Sequence, residues 1–288
     1  MSINYRFLSP DDFAALHAAL LEAFSDYIVP FQLTETQFKN HIAVNAVEIN
    51  RSVGAFGADG KMVGFTLNGF DSRSDEATAY DAGTGVIPGF RGMGIAREIF
   101  EFMTPVLKQN GVRRILLEVI TGNEKAVRLY RRMGFQETRK LLLFEERKRL
   151  DDSSKADFVV REITAPQPAD WNLLKSFWDG NTSWQNSVEA VERSLSKKIV
   201  LGAFSRERCV GYGIVFPESG SVAQLAVDKN HRRKGIGSLI LNQMRQAAGK
   251  DKPLRAANVD DNLKDAVSFL KNRNFGETLC QFEMIKQL

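Results

Sequence analysis

The chain has 288 residues, of which 43% are hydrophobic, enough to fill more than one ordinary core, so two domains are expected. Its 39 Lys and Arg stand against 35 Asp and Glu, a formal charge of +4 with the two signs interleaved. There is no concentrated basic stripe, RNP-like aromatic motif or helix-turn-helix signature, so nucleic-acid binding drops behind other readings. Cys209 and Cys280 form no CxxC or Cys/His pattern, which argues against a disulfide framework and suggests no metal site. With no basic-then-apolar leader and no apolar run of membrane-spanning length, the expectation is a cytoplasmic protein without a membrane partner.

In chain order, an extended start at Tyr5-Arg6-Phe7-Leu8 passes a proline-and-aspartate turn into a helix predicted over 11–24. Phe13, Leu16, Leu20, Leu21 and Phe24 share one of its faces. The aromatic group Phe24, Tyr27, Pro30 and Phe31 comes next. Strands over 52–56 and 62–67 form a hairpin around Ala58-Asp59-Gly60. A further strand carries Asp81 and ends at Val86, then runs into Pro88-Gly89-Phe90-Arg91-Gly92-Met93-Gly94-Ile95-Ala96. An amphipathic helix over 97–109, a strand over 114–120, a helix over 125–133 and a strand centred on Leu141 to Phe144 complete the series.

The polar stretch from Lys148 to Lys155 has no apolar periodicity, and after it the same series begins again. The second copy has an extended start at Val159-Val160-Arg161, a helix over 169–178 and hairpin strands over 200–204 and 210–215. Its own glycine loop runs from Val227 to Gly237, a helix covers 238–248 and a strand 254–259. A helix over 263–273 and a strand around Gln281 to Ile285 close it. The spacing from valine to loop arginine is the same in both copies, Val86 to Arg91 and Val227 to Arg232. Domains at 1–148 and 158–288, joined by a linker at 149–157, are therefore expected, each of mixed α/β class.

A strand that runs through small residues into a helix builds an anion site. The first N–H groups of the helix have no intrahelical partner, the helix dipole is positive there, and small residues let a pyrophosphate approach the main chain. Taken alone the loop could equally be glycine relieving turn strain. A dinucleotide fold fits poorly, since the loop lies deep in the unit after several strands, and a Walker lysine is missing.

These residues resemble the GNAT superfamily of acyl-CoA-dependent N-acyltransferases over nearly the whole chain, twice. The family loop R/Q-x-x-G-x-G/A is matched by Arg91-Gly92-Met93-Gly94-Ile95-Ala96 and by Arg232-Arg233-Lys234-Gly235-Ile236-Gly237. The segment from Asn123 to Phe135 is similar to the family's N-x-x-A-x-x-x-Y-x-x-x-G-F motif. The resemblance implies acetyl-CoA as co-substrate and a largely antiparallel sheet splayed near the loop. In the first copy it implies contacts from Val86, Arg91, Gly92, Met93, Gly94, Ile95, Ala96 and Asn123. In the second it implies contacts from Val227, Arg232, Lys234, Gly235 and Gly237. It also implies direct attack of a primary amine on the thioester, a backbone N–H near Val86 holding the carbonyl, Asp81 as base through water and Tyr130 as the acid for the thiolate. The second copy departs from this pattern: Leu270 stands for Tyr130, Leu263 for Asn123 and Val222 for Asp81.

Read from the residues alone, Tyr130 also fits an ordinary core position beside Leu129, and Asp81 a solvent-facing strand residue. Arg128, Arg131 and Arg132 suit a charged outer helix face as well as the CoA 3′-phosphate. His17, His41 and His231 form no ligand set. The expected activity is N-acetyl transfer to a small-molecule amine, located in the first copy. The alternative is a non-catalytic CoA-binding sensor or interaction protein.

Overall fold

The computed structural model describes residues 2–73, 76–148, 158–249 and 252–288. By compactness the chain divides into unit 1, Met1–Thr138 with Phe282–Leu288, and unit 2, Arg139–Gln281. The segment 149–157, expected as a linker, lies outside the described residues.

In unit 1 the elements are β1 (Asn4–Phe7), α1 (Phe13–Ala23), α2 (Glu35–Val44), β2 (Val53–Phe56), β3 (Met62–Arg73), β4 (Glu76–Val86), α3 (Ile95–Gln109), β5 (Arg114–Ile120) and α4 (Glu124–Arg132). Strands β1 to β4 pair antiparallel in chain order, and β4 pairs parallel with β5. Helix α2 was not among the sequence-derived elements. It is fixed by a capping box in which Gln37 N–H donates to Thr34 Oγ1 (3.3 Å) and Thr34 N–H donates to Gln37 Oε1 (2.9 Å).

In unit 2 the strand β6 (Gln136–Glu146), from Arg139 onward, precedes β7 (Val159–Glu162), α5 (Pro168–Lys175), α6 (Val188–Arg193), β8 (Ile199–Ser205) and β9 (Arg208–Phe216). Then come β10 (Ser221–Val227), α7 (Ile236–Ala248), β11 (Arg255–Asp260), α8 (Lys264–Asn272) and β12 (Phe275–Gln287). The pairing repeats that of unit 1: β7 to β10 antiparallel in order, then β10 parallel with β11.

Both units are closed by a strand from far along the chain. Phe282–Leu288 belongs to unit 1, where Leu288 N–H donates to Arg113 O (2.8 Å) and Met284 is buried in the core with Leu117 and Phe135. In unit 2, β6 pairs antiparallel with β11, and Leu142 and Phe144 join the core with Val222 and Ala256. A buried ion pair between Arg245 Nε and Glu146 Oε1 (2.5 Å) fastens β6 to α7.

The duplication is retained in the packing. Helix α3 buries Ile95, Ile99, Phe100, Met103 and Leu107, and α7 buries Ile236, Ile240, Leu241, Met244 and Ala248 at the same spacings. That i, i+4, i+5, i+8 pattern lays one apolar stripe on the sheet, and each large side chain so buried contributes about 1.5–3 kcal/mol. Among the described residues, no helix is long and apolar enough to cross a membrane.

Candidate active site

The parallel pairing of β4 with β5 runs from Thr78↔Arg114 to Asp81↔Leu117, and past that rung the strands part. In unit 2 it runs from Ser221↔Arg255 to Val222↔Ala256. Asp81 and Val222 thus hold the same place, the last rung before an opening. A β-bulge marks the spot in both copies: Leu67↔Gly83 is followed by Asn68↔Asp81, and Ile214↔Gln224 by Val215↔Val222. Because Ile87 N–H donates to Val63 O (3.0 Å), the preceding amide, that of Val86, is turned to the other side of β4, toward the opening. Asp228 N–H to Val210 O (2.9 Å) does the same for Val227.

The extra residue of the bulge reverses the alternation of β4, so Asp81 and Thr84, three apart, face the same way. Thr84 Oγ1 donates to Asp81 Oδ2 (2.8 Å), Gly83 N–H donates to Asp81 Oδ1 (2.9 Å), and Tyr130 Oη donates to Asp81 Oδ2 (3.2 Å). Asp81 is 6% and Tyr130 8% exposed, so the open alternative of a solvent-facing strand aspartate does not hold. Burial pushes the Asp81 carboxyl up to about 6, opposed by the bonds from Thr84, Gly83 and Tyr130. Burial first, and then the facing Asp81 carboxylate, hold the Tyr130 hydroxyl well above its ordinary value. The Tyr130 ring is fixed edge-on against Phe135 (5.5 Å between centroids) and Phe100 (6.1 Å).

Asn123 is the N-cap of α4, its Oδ1 accepting from Ala126 N–H (3.2 Å), and its side chain lowers the pKa of the Tyr27 hydroxyl against the raising effect of burial. From the aromatic group, Phe24 and Phe31 pack on the core while half-buried Tyr27 reaches the Asn123 end of α4. Glu118 was missed by the sequence reasoning. It is the first residue of β5 beyond the last shared rung, a half-buried carboxylate in the apolar run Ile115 to Ile120. A lone acid in such a run was the available signal. Its repeat counterpart is Ala257.

Helix α3 begins after Gly94, whose φ of +86° is the left-handed region that glycine enters at least cost, and whose carbonyl accepts the first helical bond, from Glu98 N–H (3.0 Å). The N–H groups of Ile95, Ala96 and Arg97 therefore precede the intrahelical ladder. Gly235 (φ +82°) and Leu239 N–H to Gly235 O (3.0 Å) reproduce the arrangement in unit 2, where Arg233 takes the positive φ that Gly92 has in unit 1. Met93 is exposed on its loop, Lys234 Nζ donates to Asn230 O (3.3 Å), and Gly237 lies close under Phe269.

The loop arginines fold back toward the first helix of their own unit. Arg91 donates to Val86 O (3.1 Å) and Ala23 O (2.9 Å) and pairs with Asp26 (2.6 and 2.7 Å). Arg232 donates to Val227 O (3.1 Å) and Phe177 O (3.2 Å) and pairs with Asp179 (2.8 Å). The resemblance named Arg91 and Arg232 among the cofactor contacts; in the structure their guanidinium groups fasten the loop to the chain beyond α1 and α5.

Matching Asp26 with Asp179 sets Tyr27 opposite Gly180, and Asn123 opposite Leu263. A Cβ on Gly180 would meet Leu263 Cδ2 at 3.3 Å. With a glycine and a leucine where unit 1 has Tyr27 and Asn123, unit 2 contains a cavity of about 760 Å³, of a size that suits a cofactor. It is lined by Arg232, Arg233 and Gly235 to Ser238 and by Val222 and Leu270. The positions of the carboxylate and the hydroxyl thus face an open cleft as apolar side chains.

Two units of the same strand pairing, each with a left-handed glycine opening a helix beside parted parallel strands, define a duplicated mixed α/β class of protein. The Acetyltransferase (GNAT) family model matches residues 16–135 and the Acetyltransferase (GNAT) domain model residues 196–277. The chain belongs to the GNAT acetyltransferase family and carries two such domains in tandem.

Streptothricin acetyltransferase of Streptomyces lavendulae is 35% identical over 86 residues, covering 30% of this chain and 44% of that protein. [Ribosomal protein bS18]-alanine N-acetyltransferase of Escherichia coli strain K12 is 33% identical over 79 residues, 27% of this chain and 51% of that protein. The chain spans about half the length of the curated relatives it matches. A tandem GNAT protein from the clavulanic acid biosynthesis pathway superposes with a TM-score of 0.73 at 13% identity, over 99% of this chain and 98% of that one, a likeness of fold.

Proposed function

We propose that the chain is an N-acetyltransferase that moves the acetyl group of acetyl-CoA to a primary amine of a small molecule, by direct attack within unit 1. The observation that carries this is the paired replacement of Asp81 and Tyr130 by Val222 and Leu270 in an otherwise repeated frame. Bound acetyl-CoA supplies an activated thioester. The N–H groups of Ile95 to Arg97, at the positive end of α3, hold its pyrophosphate, and the Val86 N–H holds the carbonyl that becomes an oxyanion.

An alkylamine with a pKa of roughly 10 must lose a proton before attack. Asp81, pushed up to about 6, accepts it through water. Tyr130 keeps its proton until the thiolate departs and then donates it, while its bond to Asp81 fixes the direction of the hydroxyl. Glu118 is a second carboxylate at the same opening and the alternative base.

Unit 2 keeps the loop and the cleft and suits a non-catalytic acyl-CoA-binding role. The streptothricin enzyme supports a small-molecule acceptor, and the bS18 enzyme sets a protein N-terminus as its rival. A reducing cytoplasm suits a chain whose cysteines form no framework pattern.

Thiol release from acetyl-CoA, measured against a panel of small amines, polyamines, aminoglycosides and an alanine-initiated peptide, tests the reading. Release with a small amine is expected. Release with the peptide alone would overturn the acceptor class, and bound CoA with silence throughout would favour a sensor.

A further inference from the structure

We propose that His41 is a positioning residue for the Asp81–Tyr130 pair: it holds the carbonyl of the extra residue in the β4 bulge and so keeps the Asp81 carboxylate directed at Tyr130. The proposal rests on the reading of unit 1 as the acetyl-transfer site.

Helix α2 is anchored on α1 through Phe38. Phe38 is fully buried, stacked on His17 (5.1 Å between centroids) and tilted against Phe13 (5.3 Å). At the helix end, Glu48 N–H donates to Asn68 O (3.0 Å), Phe70 N–H donates to Ala46 O (3.1 Å), and Val47 bridges Gly69. A Cβ on Gly69 would stand 1.9 Å from Asn45 O, so only glycine permits this approach. Asn68 and Gly69 are the β3 partners of Asp81 and Tyr80, so the segment that follows α2 is tied to β3 at the level of the carboxylate.

From this helix the His41 imidazole reaches Ala82 O, with Nε2 2.8 Å away. Ala82 is the residue that the bulge leaves without a β3 partner. Ala82 is half-buried, and a main-chain carbonyl held away from water costs free energy unless it is hydrogen-bonded, as it is here to His41. The tautomer is fixed from both ends. A carbonyl only accepts, so Nε2 carries the hydrogen; Asn45 Nδ2, anchored on His41 O (2.9 Å), donates to Nδ1 (3.2 Å). Burial lowers the His41 pKa, against the raising effect of the Ala82 bond, in keeping with a neutral ring.

The bulge supplies parity. Without the extra residue, Asp81 and Thr84 would point to opposite faces of β4 and the 2.8 Å bond between them could not form. By satisfying the carbonyl of that residue from outside, His41 acts through the backbone on the direction of the carboxylate and never needs to touch substrate.

Three full-length variants test this: His41→Phe, which keeps a ring without the donor; His41→Gln, whose amide N–H can still reach Ala82 O; and Phe38→Leu, which loosens α2 without touching the bulge. Turnover of His41→Phe should fall about tenfold to a hundredfold with an unchanged KM for acetyl-CoA, His41→Gln should retain most of it, and Phe38→Leu should melt earlier with normal kcat. Independently of any turnover, amide hydrogen exchange at Gly83, protected by Asp81 Oδ1, should quicken at least tenfold in His41→Phe while the Gly64, Phe65 and Leu67 amides of β3 keep their rates. Equal turnover in His41→Phe, or loss equally deep in His41→Gln, would overturn the proposal. So would an exchange rate at Gly83 that is unchanged or that rises only in step with the β3 amides. Were the wild type inactive on every amine, the acetyl-transfer reading would fail and the exchange experiment would still decide the role of His41 at the bulge.

Discussion

Units 1 and 2 have nearly the same frame and different chemistry. The same apolar stripe seats the helix after the loop, the same left-handed glycine opens that helix, and the same arginine folds back to an aspartate beyond the first helix. Positions at the opening differ: Tyr27, Asp81, Thr84, Glu118, Asn123 and Tyr130 in unit 1 answer to Gly180, Val222, Leu225, Ala257, Leu263 and Leu270 in unit 2. Each of these polar groups is replaced by an apolar one or by none. Unit 2 thus keeps a cavity at the opening without the carboxylate and the hydroxyl that unit 1 brings together there.

The largest expected effect separates the units most sharply. Tyr130→Phe leaves the ring packed on Phe100 and Phe135 and removes the hydroxyl alone, so turnover should fall about 10²–10⁴-fold with acyl-CoA affinity retained. Unit 2's Gly235→Glu, measured with the same amine, should leave turnover within about twofold. A dead Gly235→Glu beside a fully active Tyr130→Phe would place the active site in unit 2.

Asp81→Asn comes next, with turnover expected to fall about a hundredfold and the acid limb of kcat/KM near pH 6 to disappear. If that limb persists in Asp81→Asn and vanishes in Glu118→Gln, the base is Glu118. Asp81 also predicts a stability effect. Its folded value, about 6, lies above the ordinary 3.8, so the folded state binds the extra proton between those values, and stability falls as pH rises through that window. The asparagine lacks this slope, so the melting temperature of Asp81→Asn relative to wild type should climb between pH 4 and pH 7, as followed by circular dichroism.

Gly94→Glu forces a side chain into a left-handed position and sets a carboxylate among the helix N–H groups, so acyl-CoA affinity in unit 1 should drop about tenfold to a hundredfold by calorimetry. Residual binding of one equivalent would measure unit 2 by itself, and its loss through Gly235→Glu would confirm which cleft holds it. The smallest expected effect is that of Gly180→Tyr, which narrows the unit 2 cavity to resemble unit 1. It should weaken only that residual binding, by a few-fold, and leave turnover untouched.

Much of this was legible in the chain. Helices α3 and α7 and the strands around them follow from apolar spacing, the loop from its glycines, and the unequal chemistry from laying one copy over the other, because these signals are local and occur twice. The direction of Arg91 and Arg232 was not legible. An arginine in a phosphate loop carries the same charge whichever way it turns, and only the folded chain shows Asp26 and Asp179 waiting for it. Helix α2 escaped notice because, apart from Phe38, its inward face is thin. His41 shows its role only when a bulge 41 residues away leaves a carbonyl for it.

The sequence by itself determined the duplicated family frame and the residues able to carry chemistry, since periodicity and side-chain type are properties of short stretches. Tertiary structure decided the exchange of closing strands, the one-residue bulge that turns Asp81 toward Tyr130, and the shift of its carboxyl to about 6. Each depends on groups distant in the chain, whose pairing, burial and electrostatic coupling exist only after the backbone has brought them together.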